Sequence, residues 1–164
     1  MQYEIRCTKG SISMKIVCVL GGTGFVGSAI VRQLSEAGYL VKVLTRNCQK
    51  GRHLASLKNV QLIECDPSNT SILKNILKSA DVVINLIGIL HETPKTTFEE
   101  IHTQLPRKLA LICKELNIPR FIQMSALQAS ISAPSKYLRS KGKAEEFLAE
   151  FSGDLKITIF QPSV

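Results

Sequence analysis

The chain has no tryptophan, and only 5% of its 164 residues are aromatic. It therefore offers few flat rings on which nucleic-acid bases stack. Its formal charge of +8 is spread along the chain rather than gathered in one stripe, so nucleic acid is not the expected partner. No apolar run approaches the roughly 20 residues of a membrane-spanning helix, and no secretory pattern opens the chain. Cys7, Cys18, Cys48, Cys65 and Cys113 form no Cys-x-x-Cys, and His53, His91 and His102 make no ligand cluster with them. That spacing excludes the usual metal motifs and suits reduced thiols in a cytoplasmic setting, with any membrane association peripheral and made through a partner. Repeats and low-complexity tracts are missing as well, so one domain is expected, with 45% hydrophobic residues to build its core.

What is present begins at Lys15. The run Ile16-Val-Cys-Val-Leu reads as a buried strand, and Gly-Gly-Thr-Gly-Phe-Val-Gly (21–27) follows it directly. Ala29, Ile30, Leu34 and Ala37 continue as the apolar positions of a helix. Glycine is required where a tight strand-to-helix turn brings backbone against a pyrophosphate, and the helix start behind it attracts anions. Gly21, Gly24 and Gly27 are accordingly the candidate pyrophosphate-binding residues, and Thr23, Phe25 and Val26 between them are counted with the cofactor-binding set. A Gly-rich turn alone is a weak signal, but the strand before this one and the helix after it make a dinucleotide site the better reading.

Strands and helices then alternate. Strands are expected at Leu40–Leu44, Val60–Ile63, Val82–Leu86, Phe121–Met124 and Lys156–Phe160, with helices around Ile72–Leu77, Phe98–Leu116 and Ser135–Phe151. Pro106 should kink the long third helix or mark its true start. This order implies parallel βαβ units in a doubly wound, Rossmann-like α/β sheet of strand order 3-2-1-4-5-6, with a cofactor across the carboxyl ends of strands 1 and 4. Residues 1–13 match no part of the pattern and are expected to be a poorly ordered extension ahead of a domain spanning 14–164. The pattern ends with the sixth strand, so no substrate lobe is expected within these residues.

Three places carry chemistry. The second strand ends Thr45-Arg46, where NAD-specific folds place a carboxylate; Arg46, with Lys50 and Arg52 nearby, favours NADP(H) over NAD(H), unless Arg46 is a solvated loop charge. Asp66, followed by Pro67, would lie at an adenine rim or simply begin a turn, and Asn85 and Gly88 close the fourth strand beside the cofactor's ribose. Ser125 falls just past the fifth strand, while Tyr137 and Lys141 share one helix face four residues apart. An ammonium near a phenol lowers its pKa from about 10, so Tyr137 is the candidate acid/base, Lys141 its partner and Ser125 the donor to the same substrate oxygen. A solvated helix pair is the plainer reading of Tyr-x-x-x-Lys.

Taken together, these motifs resemble the short-chain dehydrogenase/reductase superfamily in its extended or atypical branch, over Lys15 to Val164. Asn85-Leu-Ile-Gly-Ile-Leu, Met124-Ser-Ala-Leu, Pro134-Ser-Lys-Tyr-Leu-Arg-Ser-Lys and Gln161-Pro-Ser-Val are similar to the group around the NAD(P)-binding accessory subunit of respiratory complex I. That group includes bacterial epimerase/dehydratase-like proteins. The resemblance implies a Ser125–Tyr137–Lys141 oxidoreductase or epimerase acting on a small or nucleotide-linked carbonyl or alcohol, with Lys141 also on the nicotinamide ribose. Its alternative implication is a non-catalytic NADP(H)-binding module with a protein assembly partner. His102 stands where many relatives carry Asn, and relatives continue past Pro162-Ser-Val into a carboxyl-terminal lobe.

Overall fold

The computed structural model describes residues 14–151 and 155–163; the extension expected over 1–13 lies outside them. Six parallel strands form one sheet in the order β3-β2-β1-β4-β5-β6. They are β1 (Ile16–Leu20), β2 (Leu40–Thr45), β3 (Val60–Glu64), β4 (Val82–Asn85), β5 (Arg120–Met124) and β6 (Lys156–Phe160). The strand order is the expected one, and β4 ends at Asn85, one residue earlier than expected, although the Leu86 N–H still donates to the Leu20 carbonyl of β1 at 2.9 Å. Between the strands run α1 (Phe25–Glu36), the one-turn α2 (Arg52–Ala55), α3 (Thr70–Leu77), α4 (Leu105–Glu115) and α5 (Lys136–Ala149).

Side chains alternate along β1, and each set faces its own core. Val17 and Val19 pack with Val41, Val43, Val31 of α1 and Leu54 of α2. Cys18 and Leu20 pack with Leu73 and Leu77 of α3 and with Leu105, Leu109 and Cys113 of α4. Strands buried on both faces read as continuous apolar runs, and β1 does so without a polar residue.

The helix expected from Phe98 onward is two structures. Glu99–Gln104 is π-helical, and α4 begins only at Leu105, with Pro106 in its first turn. Proline donates no N–H to the carbonyl four residues back, so the ladder changes register ahead of it. The wider turn carries His102 and Thr103 into the interior, where Thr103 Oγ1 donates to the Ser140 carbonyl of α5 at 2.9 Å. The start of α5 is set by Ser135, whose Oγ accepts the Leu138 N–H at 3.1 Å.

Candidate cofactor and catalytic site

At the carboxyl end of β1 the backbone turns through Gly21, whose φ of +78° lies in the left-handed region that glycine favours. The Gly24 N–H closes the turn on the Gly21 carbonyl at 3.1 Å. A Cβ on Gly27 would collide with that same carbonyl oxygen and stand 2.7 Å from Gly22 Cα, so the first turn of α1 lies directly on the loop. Gly24 caps α1 without a side-chain bond, leaving N–H groups of the first turn open to an anion. Phe25 and Val26 are exposed and do not line the cavity described below.

The turn forms one wall of a cavity of about 830 Å³. Gly21, Thr23 and Gly24 lie on that wall, Arg46 and Lys50 follow β2, Asp66 and Pro67 follow β3, and Gly88 follows β4. The far wall comes from the π-helical turn and α4, through Glu100, Gln104 and Lys108. This volume suits a ligand of dinucleotide size. The Ser68 N–H donated to Asp66 Oδ1 at 2.9 Å is the main reason that carboxyl is held below the usual carboxylate range, and the charges of Arg46 and Lys108 act the same way.

Asn85 does not open onto the cavity. Fully buried, it donates from Nδ2 to Gln123 Oε1 at 2.8 Å and accepts the Ile87 N–H at 3.3 Å. Gln123 in turn donates to the Met124 carbonyl at 2.7 Å, and Lys141 Nζ donates to that same carbonyl at 3.2 Å. A polar chain thus ties the ends of β4 and β5 to α5.

Ser125, Tyr137 and Lys141 are not among the residues that line the cavity. Lys141 is buried, and burial pushes its ammonium down to about 8, with Glu145 acting in the other direction. A Cβ at position 88 would stand in ordinary contact, 3.6 Å, with both Lys141 Nζ and His102 Nε2, so Gly88 lies close to these two groups. Ser125 Oγ is buried without a hydrogen-bond partner among the described residues, while its N–H is held by the Phe160 carbonyl at 2.7 Å. Tyr137 departs from expectation. The Lys141 ammonium sits 5.9 Å from the centre of its ring, committed to Met124, and burial pushes the phenol up rather than down.

His102 fills the space beside Tyr137. Its ring stacks on Phe98 at 5.3 Å between centroids and meets the Tyr137 ring edge-on at 5.1 Å. Nε2 accepts the Ile89 N–H at 3.0 Å and Nδ1 lies 3.0 Å from Ser140 Oγ, which donates to the Tyr137 carbonyl at 2.7 Å. Burial first, and the Lys141 charge second, push this imidazole down to about 3.

Lys108, Gln123 and Ser140 were not anticipated. Gln123 had a signal, being the polar residue in the otherwise apolar run Phe121-Ile-Gln-Met. Lys108 and Ser140 had none, since their partners lie far away in sequence or on backbone. Among the described residues no three potential ligands stand close enough to hold a metal ion, and no helix is long and apolar enough to cross a membrane.

A doubly wound parallel sheet with a glycine turn at the point where its strand order reverses defines a Rossmann-type dinucleotide-binding domain. The chain belongs to the NAD(P)H-binding family, whose model matches residues 21–164. It is 39% identical over 160 residues to the NADH dehydrogenase [ubiquinone] 1 alpha subcomplex subunit 9, mitochondrial, of Arabidopsis thaliana, covering 94% of this chain and 39% of that one. The subunit of the same description from Mus musculus is 33% identical over 142 residues, 84% of this chain and 38% of its own. The chain thus spans about two fifths of the length of these relatives. Among solved structures, a putative NAD-dependent epimerase/dehydratase from Bacillus halodurans shares the fold, with a TM-score of 0.74 at 21% identity over 91% of this chain and 70% of that one.

Proposed function

We propose that this chain binds NADP(H) and holds it as a component of a larger protein assembly. The observation that carries the reading is one continuous cavity joining the uncapped start of α1 to Arg46, with no carboxylate at the end of β2. The Gly21–Gly27 turn would take the pyrophosphate on backbone N–H groups, and Arg46 the 2′-phosphate through its paired donors. Asp66 with Pro67 would border the adenine, and the backbone at Asn85 and Gly88 would lie against the nicotinamide ribose. Assembly is favoured by the similarity to subunits of mitochondrial NADH dehydrogenase. Any contact with a membrane then runs through the partner.

A second reading is catalytic, and the partnerless buried hydroxyl of Ser125 favours it. When bound, the cofactor supplies or accepts a hydride. Tyr137 would then pass a proton to or from a carbonyl or alcohol oxygen, Ser125 would donate to that oxygen, and Lys141 would support Tyr137 and the ribose.

Titration of the chain with NADPH and NADH, followed by cofactor fluorescence, tests the first reading. Binding of NADPH at least about tenfold tighter is the expected result, as one charge-assisted phosphate contact would give; equal affinities, or tighter NADH, overturn the preference. Turnover on a panel of carbonyls and alcohols that Tyr137→Phe abolishes, with cofactor affinity unchanged, would replace assembly by catalysis.

A further inference from the structure

Lys108 reaches the cavity from α4, 42 positions beyond Asp66, yet its ammonium lies 3.3 Å from both the Pro67 and Ser68 carbonyl oxygens. Those carbonyls belong to a turn that closes without its help. Asp66 Oδ1 holds the Ser68 N–H, and the Asp66 carbonyl holds the Asn69 N–H at 3.0 Å. Two long bonds to neutral oxygens leave a third donor and the whole positive charge of Lys108 unspent. No carboxylate lies within ion-pair distance of Lys108 or Arg46 among the described residues; the two ion pairs found there are Lys74–Glu115 and Lys143–Glu99.

The charge balance at this end of the cavity points the same way. Asp66 lies within the fields of both Arg46 and Lys108. A phosphate monoester carries about −1.5 to −2 charges near pH 7; Arg46 and Lys50 line the cavity after β2 and Asp66 after β3, so of these groups it is Lys108 that raises the net charge facing a phosphate from one positive to two. We propose that Lys108 is a specificity-determining residue which, together with Arg46, seats the 2′-phosphate of NADP(H) at the Asp66 end of the cavity. The assignment rests on the NADP(H) reading above and deepens it. It makes cofactor choice depend on how α4 docks against the β3 turn, as well as on the loop after β2.

The test compares wild type, Lys108→Gln, Lys108→Arg and Arg46→Gln, titrated with NADPH, NADH, 2′,5′-ADP and 5′-AMP, with thermal unfolding of each. Lys108→Gln should weaken NADPH and 2′,5′-ADP roughly tenfold, and NADH and 5′-AMP less than about twofold, with Lys108→Arg recovering most of the loss. Its melting temperature should stay close to wild type. Equal losses for all four ligands, or a lowered melting temperature with an unchanged NADPH-to-NADH ratio, would make Lys108 a brace for the turn and overturn the assignment. A wild-type preference for NADPH that disappears in Arg46→Gln but survives Lys108→Gln removes Lys108 alone and leaves the NADP(H) reading standing. A wild type that does not discriminate removes both.

Discussion

His102 Nε2 accepts the backbone N–H of Ile89 at 3.0 Å, and that bond decides the state of the imidazole. Nε2 must be unprotonated to accept, so Nδ1 carries the hydrogen toward Ser140 Oγ, whose own hydrogen goes to the Tyr137 carbonyl. The ring is a neutral strut between the loop after β4 and the start of α5.

Acid should expose this strut. An unfolded histidine takes up its proton near 6.5, while His102 resists until about 3. The unfolded state therefore binds more protons between those values, and stability is lost as pH falls from 6.5 toward 3. Urea unfolding of wild type and His102→Gln from pH 7 to 4 should show wild type losing up to about 1.4 kcal/mol more per pH unit. Parallel curves would mean that the imidazole titrates normally.

Lys141 predicts an effect at the other end of the scale. Its folded value, about 8, lies below the usual 10.5, so the unfolded state again holds the extra proton, here between pH 8 and 10.5. Relative to Lys141→Met, wild type should gain stability as pH rises through that window, by on the order of 3 kcal/mol in total. Denaturant midpoints at pH 7.5, 9 and 10.5 measure it, and a flat difference would contradict the burial of a strained cation.

At the glycine turn, Gly27→Ala should separate cofactor binding from folding only partly. The added methyl group meets the Gly21 carbonyl and Gly22 Cα, both backbone, so the loop has to move. A loss of roughly 1–3 kcal/mol in stability is expected from such overpacking. NADPH affinity should fall at least about tenfold, because the displaced N–H groups are the anion site. Unchanged affinity in a calorimetric titration would place the pyrophosphate elsewhere.

Asn85 and Gln123 should behave as one unit. Asn85→Leu strands the buried Gln123 Oε1 and the Ile87 N–H, and should cost about 1–3 kcal/mol. Adding Gln123→Leu removes one of the stranded groups and should recover part of that loss. Additive losses in chemical denaturation would show that the two amides do not depend on each other.

Much of this was legible in one dimension. The apolar run of β1, the glycines at 21–27 and the alternation that follows are local signals, because a strand feeding a helix through a phosphate-binding turn is built from consecutive residues. That Arg46 and Asp66 line the cavity was legible for the same reason, each standing within two residues of a strand's end. The π-helical turn before Pro106 was only half legible: proline announces a break, but the change of ladder register depends on α5 being there to receive His102 and Thr103. The pKa of Tyr137 was misread. Four-residue spacing puts Tyr137 and Lys141 on one face without saying where the ammonium points, and the Met124 carbonyl claims it.

By itself, then, the sequence determined the fold and the class of ligand, since alternating strands and helices call for a doubly wound parallel sheet and glycines at a helix start make the anion site. The tertiary structure alone decided the protonation state of His102, the partner of Lys141, the burial of Asn85 against Gln123 and the arrival of Lys108 beside Asp66. Each of these is set by desolvation or by a hydrogen bond between groups 13 to 41 positions apart. Such bonds exist only once the sheet has closed and water has left.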